Sequence, residues 1–156
     1  MQELFKEVCV DNISDAMRAV HLGANRIEYC SNLREQGLTP DPEDVKYLIK
    51  NINIPLRVMI RPHSKSFNYS KQDILEMLKN ISIFKKLKVD GIVFGCLNQD
   101  DEIDLKKTNL LVEKAKPLKV IFHKAIDLTD DPLKSLKNLL QNCLLYTSDA
   151  ADDDRG

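Results

Sequence analysis

The chain has 156 residues, 43% of them apolar and 30% charged, with a formal net charge of −1 at pH 7. That length supports one domain with a sizeable core, and so balanced a charge gives no footing for nucleic-acid or membrane-surface binding. No apolar run approaches the ~20 residues of a membrane span, and Glu3, Lys6 and Glu7 argue against a secretory signal.

The four cysteines, Cys9, Cys30, Cys96 and Cys143, form no Cys-x-x-Cys pair. They read as reduced thiols of a cytoplasmic protein rather than as a disulfide framework.

In chain order, residues 4–10 read as a first strand with Glu7 and Cys9 on one side. Asn12 or Ser14 can cap the next helix, whose apolar face is Ile13, Ala16, Met17 and Val20, and Gly23 stops it. The second strand, 26–30, places Arg26, Glu28 and Cys30 on one side and Ile27 and Tyr29 on the other. A polar loop ends in Gly37-Leu38-Thr39-Pro40, and Asp41-Pro42 opens a helix with Val45, Leu48, Ile49 and Ile52 on one face. Residues 54–60 form a third strand running into Arg61-Pro62-His63. Ser70 and Asp73 approximate a capping box for a helix that buries Ile74, Met77, Leu78, Ile81 and Phe84. A strand at 91–96 precedes a helix near 104–116 with Leu105, Leu111, Val112 and Ala115 inward. A strand at 118–123 leads to Asp131-Pro132 and a helix with Leu133, Leu136 and Leu140 inward.

Five βα units in series imply a parallel sheet covered by helices. A doubly wound open sheet expects near-continuous apolar strands and often a Gly-rich phosphate turn. Here the strands alternate in polarity and the chain has only five glycines. The expected class is therefore α/β, a TIM (β/α)8-type barrel truncated to about five βα units, since eight usually need ~250 residues.

The run Cys143-Leu144-Leu145-Tyr146-Thr147-Ser148-Asp149-Ala150-Ala151-Asp152-Asp153 resembles the translated read-through of a sequencing adapter. The expected division is a barrel portion at 1–141 and a non-native or disordered tail at 142–156. On that reading the first and fifth strands are open edges, and the chain is expected to self-associate.

The same alternation turns Glu7, Cys9, Glu28, Cys30, Arg57, Met59, Arg61, Ile121 and His123 toward the barrel interior. Buried charge needs partners, so Glu28 is expected beside Arg61 or Arg57, with His123 near a carboxylate. Such a cluster is either a salt-bridged plug or a site, and sites in this fold gather at the carboxyl ends of the strands. Cys9 and Cys30 end neighbouring strands and can pinch a soft ion such as Cu(I), although layer stagger and simple packing compete with that reading. Cys96 is a further candidate for the mouth. His21 reads as a helix-end residue and His63 as a solvated loop residue. Zinc-ligand spacing, a Walker loop, a nucleophile elbow and His-Glu-x-x-His are all missing.

Seven blocks then carry a resemblance: Glu7-Val8-Cys9-Val10-Asp11, Arg26-Ile27-Glu28-Tyr29-Cys30-Ser31, Gly37-Leu38-Thr39-Pro40, Val58-Met59-Ile60-Arg61-Pro62, Phe67-Asn68-Tyr69-Ser70, Asp90-Gly91-Ile92-Val93-Phe94-Gly95 and Phe122-His123-Lys124-Ala125-Ile126-Asp127. In order and spacing they resemble the CutC copper homeostasis family over about residues 4–141. The resemblance implies a cytoplasmic TIM barrel that tends to homo-oligomerise and a role in copper tolerance, with Cu(I) held by Cys9 and Cys30. Two departures stand out: His63-Ser64-Lys65 replaces Arg-Gly-Gly, and Lys124 and Ile126 replace Arg and Phe. The alternative is a TIM-barrel enzyme acting on a small anionic or carbonyl-containing metabolite. Arg61 would then hold the anion, Glu28 or His123 would move a proton, and Asp127 would orient His123.

Overall fold

Each helix begins where the sequence supplies an oxygen for its free N–H groups. In the computed structural model, which describes residues 2–143 and the backbone of Tyr146–Thr147, Asn12 caps α1 (Ile13–His21) by accepting from the Asp15 N–H. Asp41 does the same for α2 (Pro42–Asn51), Asp104 for α4 (Leu105–Ala115) and Asp131 for α5 (Pro132–Asn142). At α3 (Lys71–Lys86) Ser70 and Asp73 form a full capping box.

Between the helices lie four-residue parallel strands: β1 (Glu7–Val10), β2 (Arg26–Tyr29), β3 (Leu56–Met59), β4 (Gly91–Phe94) and β5 (Lys119–Phe122). β1 starts at Glu7 rather than at 4, and Leu4 is left exposed. A two-residue strand, β6 (Tyr146–Thr147), follows. The strands lie side by side in strict chain order. A doubly wound sheet would reverse direction from its first strand, and none does here. This is the arc of a (β/α) barrel, with each crossover returning one strand further on.

Period-2 alternation separates two layers. Val10, Ile27, Tyr29, Leu56, Val58, Ile60, Ile92, Phe94, Val120 and Phe122 face the helices and form the main core with Val45, Leu48, Met77, Ile81, Phe84 and Leu111. Cys30, Met59, Val93 and Ile121 form a separate cluster on the concave side. At Gly91 an added Cβ would lie 2.9 Å from the Lys119 carbonyl oxygen, so β4 and β5 need a glycine there.

Two expectations change at the end of the described chain. The inward face of α5 is set by Leu139, fully buried, with Cys143 one turn on; Leu133 and Leu140 are exposed. Cys143 packs in the core, its thiol 2.9 Å from the Asn109 side-chain oxygen. That anchor rotates the helix by about one residue from the expected face. The expected open edge of β5 is also corrected, since Tyr146 and Thr147 pair with Ile121 and Phe122. β1 pairs with β2 alone among the described residues. The remaining positions of the expected tail, 144–145 and 148–156, lie outside the described residues.

Candidate functional site

The concave side of the sheet carries two levels of polar side chains. At the amino ends of the strands, Arg26 Nε donates to Glu7 Oε2 at 2.8 Å. Arg57, 1% exposed, reaches the same oxygen at 3.9 Å and Asp90 Oδ2 at 3.5 Å. Two guanidinium groups thus share two carboxylates. This corrects the expected partner of Glu28: Arg57 is engaged by Glu7 and Asp90, and Arg61 bonds backbone oxygens. Glu28 stands half-buried above them with its carboxyl pushed up to about 7. Burial is the first cause and the Glu7 carboxylate the second, and together they outweigh the pull of Arg57 and Arg26.

Above this level the carboxyl ends of the strands surround a cavity of about 290 Å³. Cys9, Glu28, Met59, Arg61 and His123 all line it. Arg61 is held from both ends. Its backbone N–H donates to Thr39 Oγ1 at 2.9 Å, and its Nη1 donates to the Glu35 and Gly37 carbonyls at 3.0 and 3.3 Å. Its guanidinium carbon sits 4.8 Å above the Phe67 ring centroid. Its Nε is buried without a partner.

His123 follows β5 directly. Its Nδ1 accepts the Ala125 N–H at 3.2 Å. A neutral ring that accepts at Nδ1 carries its hydrogen on Nε2, and that nitrogen is buried without a partner. The ring packs 4.9 Å from Phe67 and against Gly95, where a Cβ would fall 2.5 Å from Cε1. Burial first, then Arg61, lowers the imidazole to about 3. The neutral form of the ring is therefore favoured, with its Nε2–H buried beside the cavity. The expected Asp127–His123 contact is corrected as well. Asp127 lies exposed on the 3-10 turn Lys124–Leu128, and Nδ1 is satisfied by backbone instead.

The thiols meet at the first two strands. Cys9 is exposed on β1, while Cys30, just past β2, is fully buried with its sulfur 3.6 Å from the Val10 carbonyl oxygen. The Cys9 thiol is drawn below its usual range, chiefly by its interaction with the Cys30 side chain. The same contact, then burial, pushes Cys30 up. Two soft sulfur donors fit Cu(I) by chemistry. No cluster of three His, Cys, Asp or Glu suited to a metal occurs among the described residues. Cys96 belongs to the main core rather than the mouth. His63 is tied to Asp73 at 3.2 Å and packs edge-on against Tyr69, so it is not a free loop side chain.

Sequence reading missed Gln36 and Lys124 as lining residues, which hydrogen-bond each other across the mouth. Gln36 left one trace, its place before Gly37 in a loop closed by left-handed residues. Tyr69, whose buried hydroxyl is also unpartnered, was visible only as part of the Phe67-Asn68-Tyr69-Ser70 block.

A sequence model of the CutC family matches residues 4–147. The copper homeostasis protein cutC homologs of Mus musculus and Homo sapiens are each 41% identical over 134 residues, covering 86% of this chain and 49% of theirs. A CutC family protein of Mesorhizobium japonicum is 39% identical over 135 residues, covering 86% of this chain and 52% of its own. The chain thus spans about half the length of the curated relatives it matches. The crystal structure of CutC from Streptococcus agalactiae aligns with a TM-score of 0.83 at 28% identity, over 89% of this chain and 69% of that one. Phosphoribosyl anthranilate isomerase from Thermotoga maritima, at 10% identity and a TM-score of 0.52 over 93% of this chain and 60% of its own, shares the fold alone.

Proposed function

The chain belongs to the CutC family, and from that premise we propose that it binds and handles Cu(I) through Cys9 and Cys30 as part of copper homeostasis in the cytoplasm. The observation that carries this reading is the pair of free thiols at the ends of neighbouring strands, Cys9 exposed on β1 and lining the cavity and Cys30 buried just past β2. A soft monovalent cation displaces the thiol protons and is held by two thiolate sulfurs. The mouse and human relatives bear copper homeostasis in their names, which supports the same cargo. A cytoplasmic thiol pool keeps both cysteines reduced, and the longer protein is expected to work as a homo-oligomer. The test is anaerobic Cu(I) titration against a competing chelator. Tight one-to-one binding, lost in Cys9→Ser/Cys30→Ser, is the expected result; equal affinity in wild type and the double variant overturns the ligand assignment.

A second reading is favoured by a different observation, the buried and unpartnered Arg61 Nε and His123 Nε2 beside one cavity. Unsatisfied buried donors are costly, and a small carboxylate or carbonyl compound would satisfy them. On this reading Arg61 and His123 bind the oxygen and Glu28 moves the proton, as in an enzyme on a small metabolite. A thermal-shift screen of small carboxylates and keto acids discriminates. The expected hit stabilises wild type and not Arg61→Ala, and a screen without any such hit counts against this reading.

A further inference from the structure

Three sulfur-bearing side chains stand on three consecutive strands, Cys9 level with Glu28, and Cys30 and Met59 one pleat step above it. Cys9 lies on β1, Cys30 directly follows β2, and Met59 ends β3. The register pairs Glu28 with Arg57 and Tyr29 with Val58, so Cys30 and Met59 come next, level on neighbouring strands. By the same alternation both point to the concave side, and they sit together in the small cluster with Val93 and Ile121, apart from the helix-facing core. Gly37 locates them further. A Cβ on Gly37 would lie 3.3 Å from Cys30 Sγ and 3.6 Å from Met59 Cε, so the thiol and the thioether end flank one point. Gly37 holds φ at +94°, a conformation that favours glycine, and its lack of a side chain lets the loop pack closely on both residues. Cys9 and Met59 both line the cavity.

A methionine in a core usually fills a gap. This one sits 6% exposed on the ligand-facing side beside two thiols, where Leu or Val would fill the space without a soft donor. We propose that Met59 is a third ligand of the site, its thioether joining Cys9 and Cys30 around one Cu(I). This inference rests on the Cu(I) reading above. The chemistry gives the third sulfur a purpose. A thioether carries no proton to lose, so it adds a soft donor without adding charge or pH dependence. Three soft sulfur donors also favour Cu(I) over Zn(II), which takes four ligands.

The test uses the whole chain, loaded anaerobically with one equivalent of Cu(I), in wild type, Met59→Leu and Cys9→Ser/Cys30→Ser. Leucine keeps the volume of methionine, so folding is retained. Copper X-ray absorption is expected to count three sulfur neighbours in wild type and two in Met59→Leu. Chelator competition should show Met59→Leu weakened roughly tenfold and the double cysteine variant far more. Selenomethionine substitution supplies a readout independent of folding, because a copper–selenium path appears in wild type and disappears in Met59→Leu. Equal affinity, two light-scatterer sulfurs and no copper–selenium path in wild type would overturn Met59 as ligand while leaving the cysteine pair standing. No Cu(I) binding by wild type would overturn both.

Discussion

The two levels of the barrel interior use the same kinds of side chain to opposite ends. At the amino ends of the strands, Arg26 and Arg57 are matched by Glu7 and Asp90. At the carboxyl ends, Arg61 and His123 each leave a buried nitrogen without a partner, and the Cys9 thiol lines the cavity. Buried charge that is fully matched inside the chain is structure. Buried polar atoms left unmatched are a demand on something from outside. A matched charge layer and a candidate site thus lie one layer apart in the same sheet.

The sharpest way to break that comparison is to unmatch the lower level. Arg57→Met leaves Glu7 and Asp90 with less compensation. A fully buried pair would cost about 3–5 kcal/mol, but the two carboxylates are 26% and 27% exposed, so about 2–3 kcal/mol is expected. Urea unfolding measures it, and a loss below about 0.5 kcal/mol would mean the lower level is not structural.

Next comes the support of the upper level. In Gly95→Ala the new methyl collides with Cε1 and Nδ1 of His123 and with Ala125 Cβ, at 2.5, 2.7 and 2.8 Å. A cost of about 1–3 kcal/mol is expected, together with a shifted His123 ring signal in NMR. An unchanged ring signal would show that His123 is not wedged there.

The pH response of His123 is smaller per unit and has a definite sign. The ring falls from an ordinary 6.5 to about 3 in the folded chain, so between those values the unfolded chain binds the extra proton. Stability contributed by this residue is fully present above pH 6.5 and declines as pH falls, by up to about 1.4 kcal/mol per pH unit. Comparing denaturant midpoints of wild type and His123→Gln from pH 7.5 down to 4.5 isolates the slope. Parallel curves would show that the ring titrates normally.

The smallest expected effect belongs to Asp127, which the sequence placed in the site and the structure places in solvent. Asp127→Asn should change stability by less than about 0.5 kcal/mol and leave the His123 titration untouched. A displaced titration would restore Asp127 as its orienting partner.

The sequence by itself determined which side chains share the concave face. Glu7, Cys9, Glu28, Arg57, Met59, Arg61, Ile121 and His123 follow from pleat alternation alone, because a strand sends every second side chain to the same side. The helix caps at Asn12, Asp41, Ser70 and Asp131 were legible for an equally local reason, a side-chain oxygen two or three residues before a free N–H. Only the tertiary structure decided who pairs with whom. Arg57 chose Glu7 and Asp90 over Glu28 because strand stagger sets level as well as face, and stagger depends on neighbouring strands. The tautomer of His123 was settled by the N–H of Ala125 in the turn that follows. The face of α5 was settled by Cys143, whose thiol finds Asn109 on a different helix. Periodicity is a property of one segment, whereas partners, levels and protonation come from groups far apart in the chain, and burial makes each of those choices expensive to leave unmet.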